Sequence, residues 1–147
     1  MTPGIKLSPV HPFLLEECWD EAEACLAKAC EVSGGRTSID SLRAEVESGH
    51  QTLWLLHKGT DGMMAAATTC FTDYPDRRLL TISFFGSHDS NSRPVWYNDR
   101  DVVVSTLSRW AKGNGCDGIE IIGRRGWAKA LEPLGFKVSS TIMEAEV

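Results

Sequence analysis

Apolar residues recur every three or four positions from Leu14 to Ala29: Leu14, Leu15, Cys18, Trp19, Ala22, Cys25, Leu26 and Ala29. That spacing gathers them on one face of a helix. Pro12 opens the helix, where its missing N–H removes no helical bond, and Gly34-Gly35 ends it. Glu16, Glu17, Asp20, Glu21 and Glu23 crowd the first half, where the helix dipole favours anions. A second, shorter helix is capped by Thr37 or Ser38, places Ile39, Leu42 and Val46 on its apolar side, and stops at Gly49. Ahead of both, Ile5-Lys6-Leu7 alternates as a short edge strand that Pro9 stops.

The period then changes from helical to extended. Thr52 to Leu56 is a strand, Thr60-Asp61-Gly62 turns the chain, and Met63 to Tyr74 is a long strand with small residues, Ala65 to Ala67, at its middle. Small side chains there predict a helix packed closely above. Pro75-Asp76-Arg77 makes the next turn. Leu79 to Gly86 follows, with Leu80, Ile82 and Phe84 expected on one side. These three strands read as an antiparallel meander. A polar loop, Ser87 to Tyr97, leads to a helix capped by Asn98 or Asp99. It carries Val102, Val103, Leu107, Trp110 and Ala111, and Gly113-Asn114-Gly115 terminates it.

The stretch from Gly118 to Phe136 organises the rest. Ile119 to Ile122 is a strand ending at Gly123, and a short helix with Trp127, Ala130, Leu131 and Leu134 at helical spacing follows. Pro133 cannot donate to the backbone ladder, so the last turn is expected to be short or distorted. Phe136 to Ala145 reads as a final strand. Strand, helix and strand after a meander imply a right-handed crossover and a parallel pair.

With 147 residues, 42% hydrophobic and 24% charged, the chain suits one domain, 1–147, with a real core. A net charge of −5 gives no electrostatic reason to bind nucleic acid or acidic membranes. No apolar run nears the roughly 20 residues that span a bilayer, and no secretory signal is visible at the N-terminus. The five cysteines are Cys18, Cys25, Cys30, Cys70 and Cys116. Their number is odd and no pair has zinc spacing, so no metal site is expected. They read as reduced thiols of a cytoplasmic protein.

The order β, two helices, three antiparallel strands, helix, strand, helix, strand resembles the GNAT (Gcn5-related N-acetyltransferase) fold over nearly the whole chain. The segment WAKGNGCDGIEIIGRRGW with the later LEPLGF carries most of the resemblance. The implied class is α/β (α+β): a mixed, mostly antiparallel twisted sheet with about four helices and a parallel pair in the C-terminal half. The GRRGW turn, LWLL before the meander and Met143-Glu144 near the end also resemble the small GNAT-like proteins of tailed bacteriophages. The resemblance implies an acetyl-CoA-dependent transferase, in which a neutral amine attacks a thioester. Such chemistry needs backbone N–H groups for the pyrophosphate, a base or water chain for the amine proton, and a donor, usually a tyrosine, for the departing sulfur.

The chain departs from that family at each of these points. The glycine-rich cradle before the third helix is absent, since no glycine stands between Gly86 and Gly113. Asp99 and Asp101 flank the helix start instead, and two such charges oppose an anion by roughly 1–4 kcal/mol in total. The usual tyrosine position is held by Leu131, and the usual asparagine position by about Arg124. The cofactor-binding positions implied are Phe84 and Gly86 at the strand end, with Arg93, Arg124 and Arg125 as cations. His88 and Glu120 are the candidate bases, and Cys116 is a candidate nucleophile without a paired histidine. The plainer readings are a solvated rim for the arginines, an exposed loop for His88, an edge or arginine-paired position for Glu120, and core for Trp110 and Trp127. Trp96, beside Pro94 in a polar loop, is the aromatic least explained by packing. Three readings follow: a diverged acetyl-CoA transferase; a GNAT-fold virion or assembly part, in a homo-oligomer or with phage structural proteins, whose opening Phe84, Phe85 or Trp96 would plug; and a binding module for another small ligand.

Overall fold

The structure, a computed structural model, describes residues 4–59, 62–87, 99–123 and 126–147. Strand β1 (Ile5–Pro9) leads through a single 3-10 turn (Pro12–Leu14) into helix α1 (Leu15–Glu31) and then α2 (Ile39–Ser48). Strands β2 (Thr52–Lys58), β3 (Met63–Asp73) and β4 (Arg78–Ser87) follow, then α3 (Arg100–Gly113), β5 (Gly118–Ile121) and α4 (Gly126–Leu131). The strands form one sheet in the order β1-β2-β3-β4-β5. The first three pairings are antiparallel and the β4–β5 pairing is parallel. This is the expected class, a mixed and mostly antiparallel sheet with four helices and a parallel pair in the C-terminal half, but without the expected final strand.

Local chemistry sets the element ends. Pro12 starts the 3-10 turn rather than α1 itself. The Ser38 hydroxyl accepts from the Ser41 N–H at 3.1 Å, and Gly49, at φ 86°, closes α2 in the left-handed region that favours glycine. Pro133 distorts the end of the last helix as expected: α4 stops at Leu131 and a 3-10 turn (Glu132–Leu134) replaces its final turn. Asp99 stands at the cap position of α3 but makes no side-chain capping bond.

Two cores lie on opposite faces of the sheet. On one face, Leu15, Trp19, Ala22, Cys25 and Leu26 of α1 and Leu42 and Val46 of α2 pack on Leu53, Leu55 and Ala66. On the other, Val103, Leu107 and Ala111 of α3 and Ala130 and Leu131 of α4 pack on Trp54, Leu56, Ala65, Ala67, Leu80 and Ile82. The three small residues of β3 thus meet helices above and below, as their size predicts. Trp54 lies in the second core, its Nε1–H donating to Thr69 Oγ1 at 2.8 Å and its ring meeting Trp110 edge-on at 5.1 Å.

Two expectations are corrected. Residues 136–147 form no strand, and Val138, Ile142 and Met143 are exposed at 72%, 60% and 90%. Strand propensity is realised only against a partner edge, and β5 offers just four residues. The segment is instead held at its ends. Phe136 N–H donates to the Leu131 carbonyl and packs against the second core, while Arg36 Nη2 donates to Glu144 Oε2 at 2.8 Å. The second correction concerns Phe84, which does not share a face with Leu80 and Ile82. Thr68 pairs with Phe84 but Thr69 pairs with Ile82, so Ser83 is an extra residue, a β-bulge. One inserted residue reverses the facing of all that follow. Phe84 packs with the α1 core, whereas Phe85 packs with the α3–α4 core.

Candidate active site

The bulge sits where the sheet divides. β5 pairs only with the first half of β4, from Leu79↔Gly118 to Ile82↔Ile121. Beyond Ile82, β4 continues along β3 to Ser87, while β5 ends and Ile122 is exposed at 61%. A bulge bends its strand and increases local twist, and beyond it β4 no longer pairs with β5. The sheet thus divides at the C-terminal ends of the two parallel strands, and the wedge of the family fold would lie there.

The sequence-predicted residues divide around this wedge. Phe84 and Gly86 lie on the part of β4 that has left β5, both turned toward α1. Gly86 pairs with Ala66, and a Cβ added to it would fall 1.9 Å from the Cys25 carbonyl oxygen. Its lack of a side chain therefore lets α1 lie against β4. On the opposite face, Phe85 meets Trp127 of α4 edge-on at 6.0 Å. Trp127 in turn lies over the β5–α4 turn, 2.9 Å from where a Gly123 Cβ would stand. His88, Arg93, Trp96, Tyr97, Arg124 and Arg125 lie outside the described residues.

Glu120 is on β5, half-buried, opposite Thr81 and one pair before the strands part. Its neighbours Ile119 and Ile121 pack on the α3–α4 core, so its side chain belongs to the α1–α2 face. It pairs with hydroxyls rather than with a described arginine. Thr81 Oγ1 donates to its Oε1 at 2.8 Å, and the Tyr74 hydroxyl donates to Oε1 and Oε2 at 2.9 and 3.0 Å. The hydrogen bond to Glu120 raises the Tyr74 phenol above its ordinary value, with desolvation and the Glu120 charge adding to the effect. Tyr74 and Thr81 were not singled out in the sequence. The available signal was their facing: Thr81 alternates with Leu80 and Ile82, and Tyr74 stands at the turn beside β5.

Other candidates fall outside this arrangement. Cys116 is half-buried against the α3–α4 core, with its N–H bonded to the Ala111 carbonyl. Leu131, at the place of the family tyrosine, is only 4% exposed and is core. All five cysteines are free thiols. Burial, then the Glu21 charge, pushes the Cys25 thiol up to about 11. Burial raises Cys30, and burial with the Glu17 and Glu21 charges raises Cys18. Among the described residues no group of three or more His, Cys, Asp or Glu side chains could hold a metal ion, and no helix is long and apolar enough to cross a membrane.

Solved structures share this architecture. An aminoglycoside N-acetyltransferase in complex with CoA superposes with a TM-score of 0.66 at 14% identity, over 100% of this chain and 97% of its own. A predicted acetyltransferase from Clostridium acetobutylicum, solved with acetyl-CoA, gives 0.65 at 12% identity, over 97% of this chain and 96% of its own. A GNAT family acetyltransferase from Staphylococcus aureus gives 0.62 at 16% identity, over the full length of both chains. The chain therefore has the GNAT acetyltransferase fold. No family model matches its sequence, and no curated protein does either.

Proposed function

We propose that the protein binds acetyl-CoA in the wedge between β4 and β5 and is a slow N-acetyltransferase. The observation that carries this reading is the split itself: β4 and β5 pair only as far as Ile82↔Ile121, and the Ser83 bulge of β4 follows directly on that last pair. The pantetheine arm would run along the freed half of β4, past Phe84, and bring the thioester to the level of Ser83. Solved structures of the same fold, one with CoA and one with acetyl-CoA, support the cofactor.

In the reaction, an acceptor ammonium group loses one proton to solvent or a base, and the neutral amine attacks the thioester carbonyl. A C–N bond forms, the C–S bond breaks, and the second amine proton ends on sulfur as free CoA thiol. This chain's residues explain why the step would be slow. Leu131 has no proton to give, so water must protonate the thiolate. Asp101 lies in the first turn of α3 with Asp99 at its cap, and these charges oppose the pyrophosphate that a helix start otherwise attracts. Arg93, Arg124 and Arg125 would have to supply the compensating charge.

Calorimetric titration with acetyl-CoA and CoA, beside an assay for thiol release in the presence of simple amines, tests this reading. Micromolar binding with slow turnover is expected. No heat at millimolar ligand would overturn it. A second reading is a phage virion or assembly part that has kept the fold without the chemistry. It is favoured by the Phe85–Trp127 contact, which joins β4 to α4 with the chain's own aromatic rings, and by the exposed apolar side chains of the C-terminal segment. Self-association at micromolar concentration, measured by sedimentation, together with the absence of CoA binding, would establish it.

A further inference from the structure

The α1–α2 face beside the wedge carries a charge arrangement that packing does not require. Thr81 donates its one hydroxyl proton to Glu120. In the 2.6 Å contact between Thr72 and Thr81, Thr72 is therefore the donor. Tyr74 donates to the same carboxylate from the other side. Every proton in the network points toward Glu120 and fixes its carboxylate in place. Among the described residues no Lys, Arg or His nitrogen lies within 4.0 Å of it.

That carboxylate lines a cleft of about 390 Å³, together with Tyr74, Asp76, Arg77, Ser139 and Ser140. Asp76 adds a second negative charge. Arg77, the one described cation of the lining, lies near the start of β5, with Nη2 3.3 Å from where a Gly118 Cβ would stand. Thr81, which holds the Glu120 carboxylate of this cleft, lies close to the proposed chemistry. Ser83 is two residues beyond Thr81, about 6–7 Å along the strand.

We propose that Glu120, held in place by Tyr74 and Thr81, anchors a second cationic group on the acceptor, so that the acceptor is a dication such as a diamine or an amino-guanidine. The inference rests on the acetyl-transfer reading for the position of the reacting amine. With one cation on Glu120, the other nitrogen reaches the level of Ser83 when about four carbons separate them. A monoamine of the same length fills the same space without the anchor. A clamped carboxylate gives more than an ordinary surface ion pair because its side chain is already ordered.

The test is an NMR titration of the whole protein with 1,4-diaminobutane, and with n-butylamine as the singly charged control, with and without acetyl-CoA. The expected result is binding of the diamine at least about tenfold tighter than that of butylamine, with shifts at the Tyr74 ring and Thr81 methyl. Glu120→Gln should abolish the difference while leaving acetyl-CoA binding unchanged. Tyr74→Phe, which keeps the charge and loosens the clamp, should cost about threefold. Equal binding of diamine and monoamine, or a preference that survives in Glu120→Gln, would overturn the inference and leave the acetyl-CoA reading intact. Glu120-dependent diamine binding without any acetyl-CoA binding would overturn the acceptor role along with the transferase reading.

Discussion

Single side chains decide how closely the layers approach. At Gly86 a Cβ would fall on the Cys25 carbonyl oxygen of α1, and backbone cannot yield as a flexible side chain can. Gly86→Ala should therefore destabilise the fold by about 1–3 kcal/mol or more, measured by urea unfolding. A change within experimental error would show that α1 does not rest on β4 there. Leu131 makes the complementary case. It is buried against the sheet, so Leu131→Tyr should overpack the core by about 1–3 kcal/mol and give no gain in thiol release. A faster enzyme would show that the position opens to the site. The thiols of α1 predict a pH dependence. Cys25 is raised to about 11, and Cys18 and Cys30 are raised as well, so the folded state holds these protons more tightly than the unfolded one. Their stabilising contribution is full below the ordinary thiol pKa and is lost as pH rises from about 9 toward 11. The urea midpoint should fall across that window, and the fall should be shallower in Cys25→Ala. An unchanged slope would contradict the buried state of the thiol.

At the scale of elements, most of the fold was legible. Helical spacing identified α1, α2, α3 and α4; Ser38 and Gly49 marked the ends of α2 through capping, and Pro133 the end of α4 through its missing N–H. Ser38→Ala should cost about 1 kcal/mol in the same unfolding measurement, since the cap bond at 3.1 Å leaves with the hydroxyl; a loss near zero would mean that water replaces it. Two features were not legible, for the same physical reason. A bulge is a relation between two strands, and nothing in the run from Leu79 to Gly86 says which residue is skipped by β3. A terminal strand is likewise a relation to an edge, and the apolar and β-branched residues after Phe136 find none long enough. The candidate site inherits that pattern. Glu120 stood out as a charge in an apolar run, but its partners Tyr74 and Thr81 come from strands brought beside it by the register of the sheet.

At the scale of the molecule, one sheet carries helices on both faces and divides at β4–β5; on the proposed reading, a cofactor would enter at that division and an acceptor would meet it from the other side. Leu131 in the core and Asp99 and Asp101 at the start of α3 would affect the phosphate and leaving-group ends of the proposed reaction. The split that would receive the pantetheine arm is intact. An amide-resolved NMR titration with acetyl-CoA tests this most directly. Shifts should concentrate on Ser83 to Ser87, on Ile122 and Gly123, and on the Trp127 indole, saturating with micromolar affinity. An unchanged spectrum at millimolar acetyl-CoA, or shifts confined to a surface away from the β4–β5 division, would contradict the assignment of this wedge as a cofactor site.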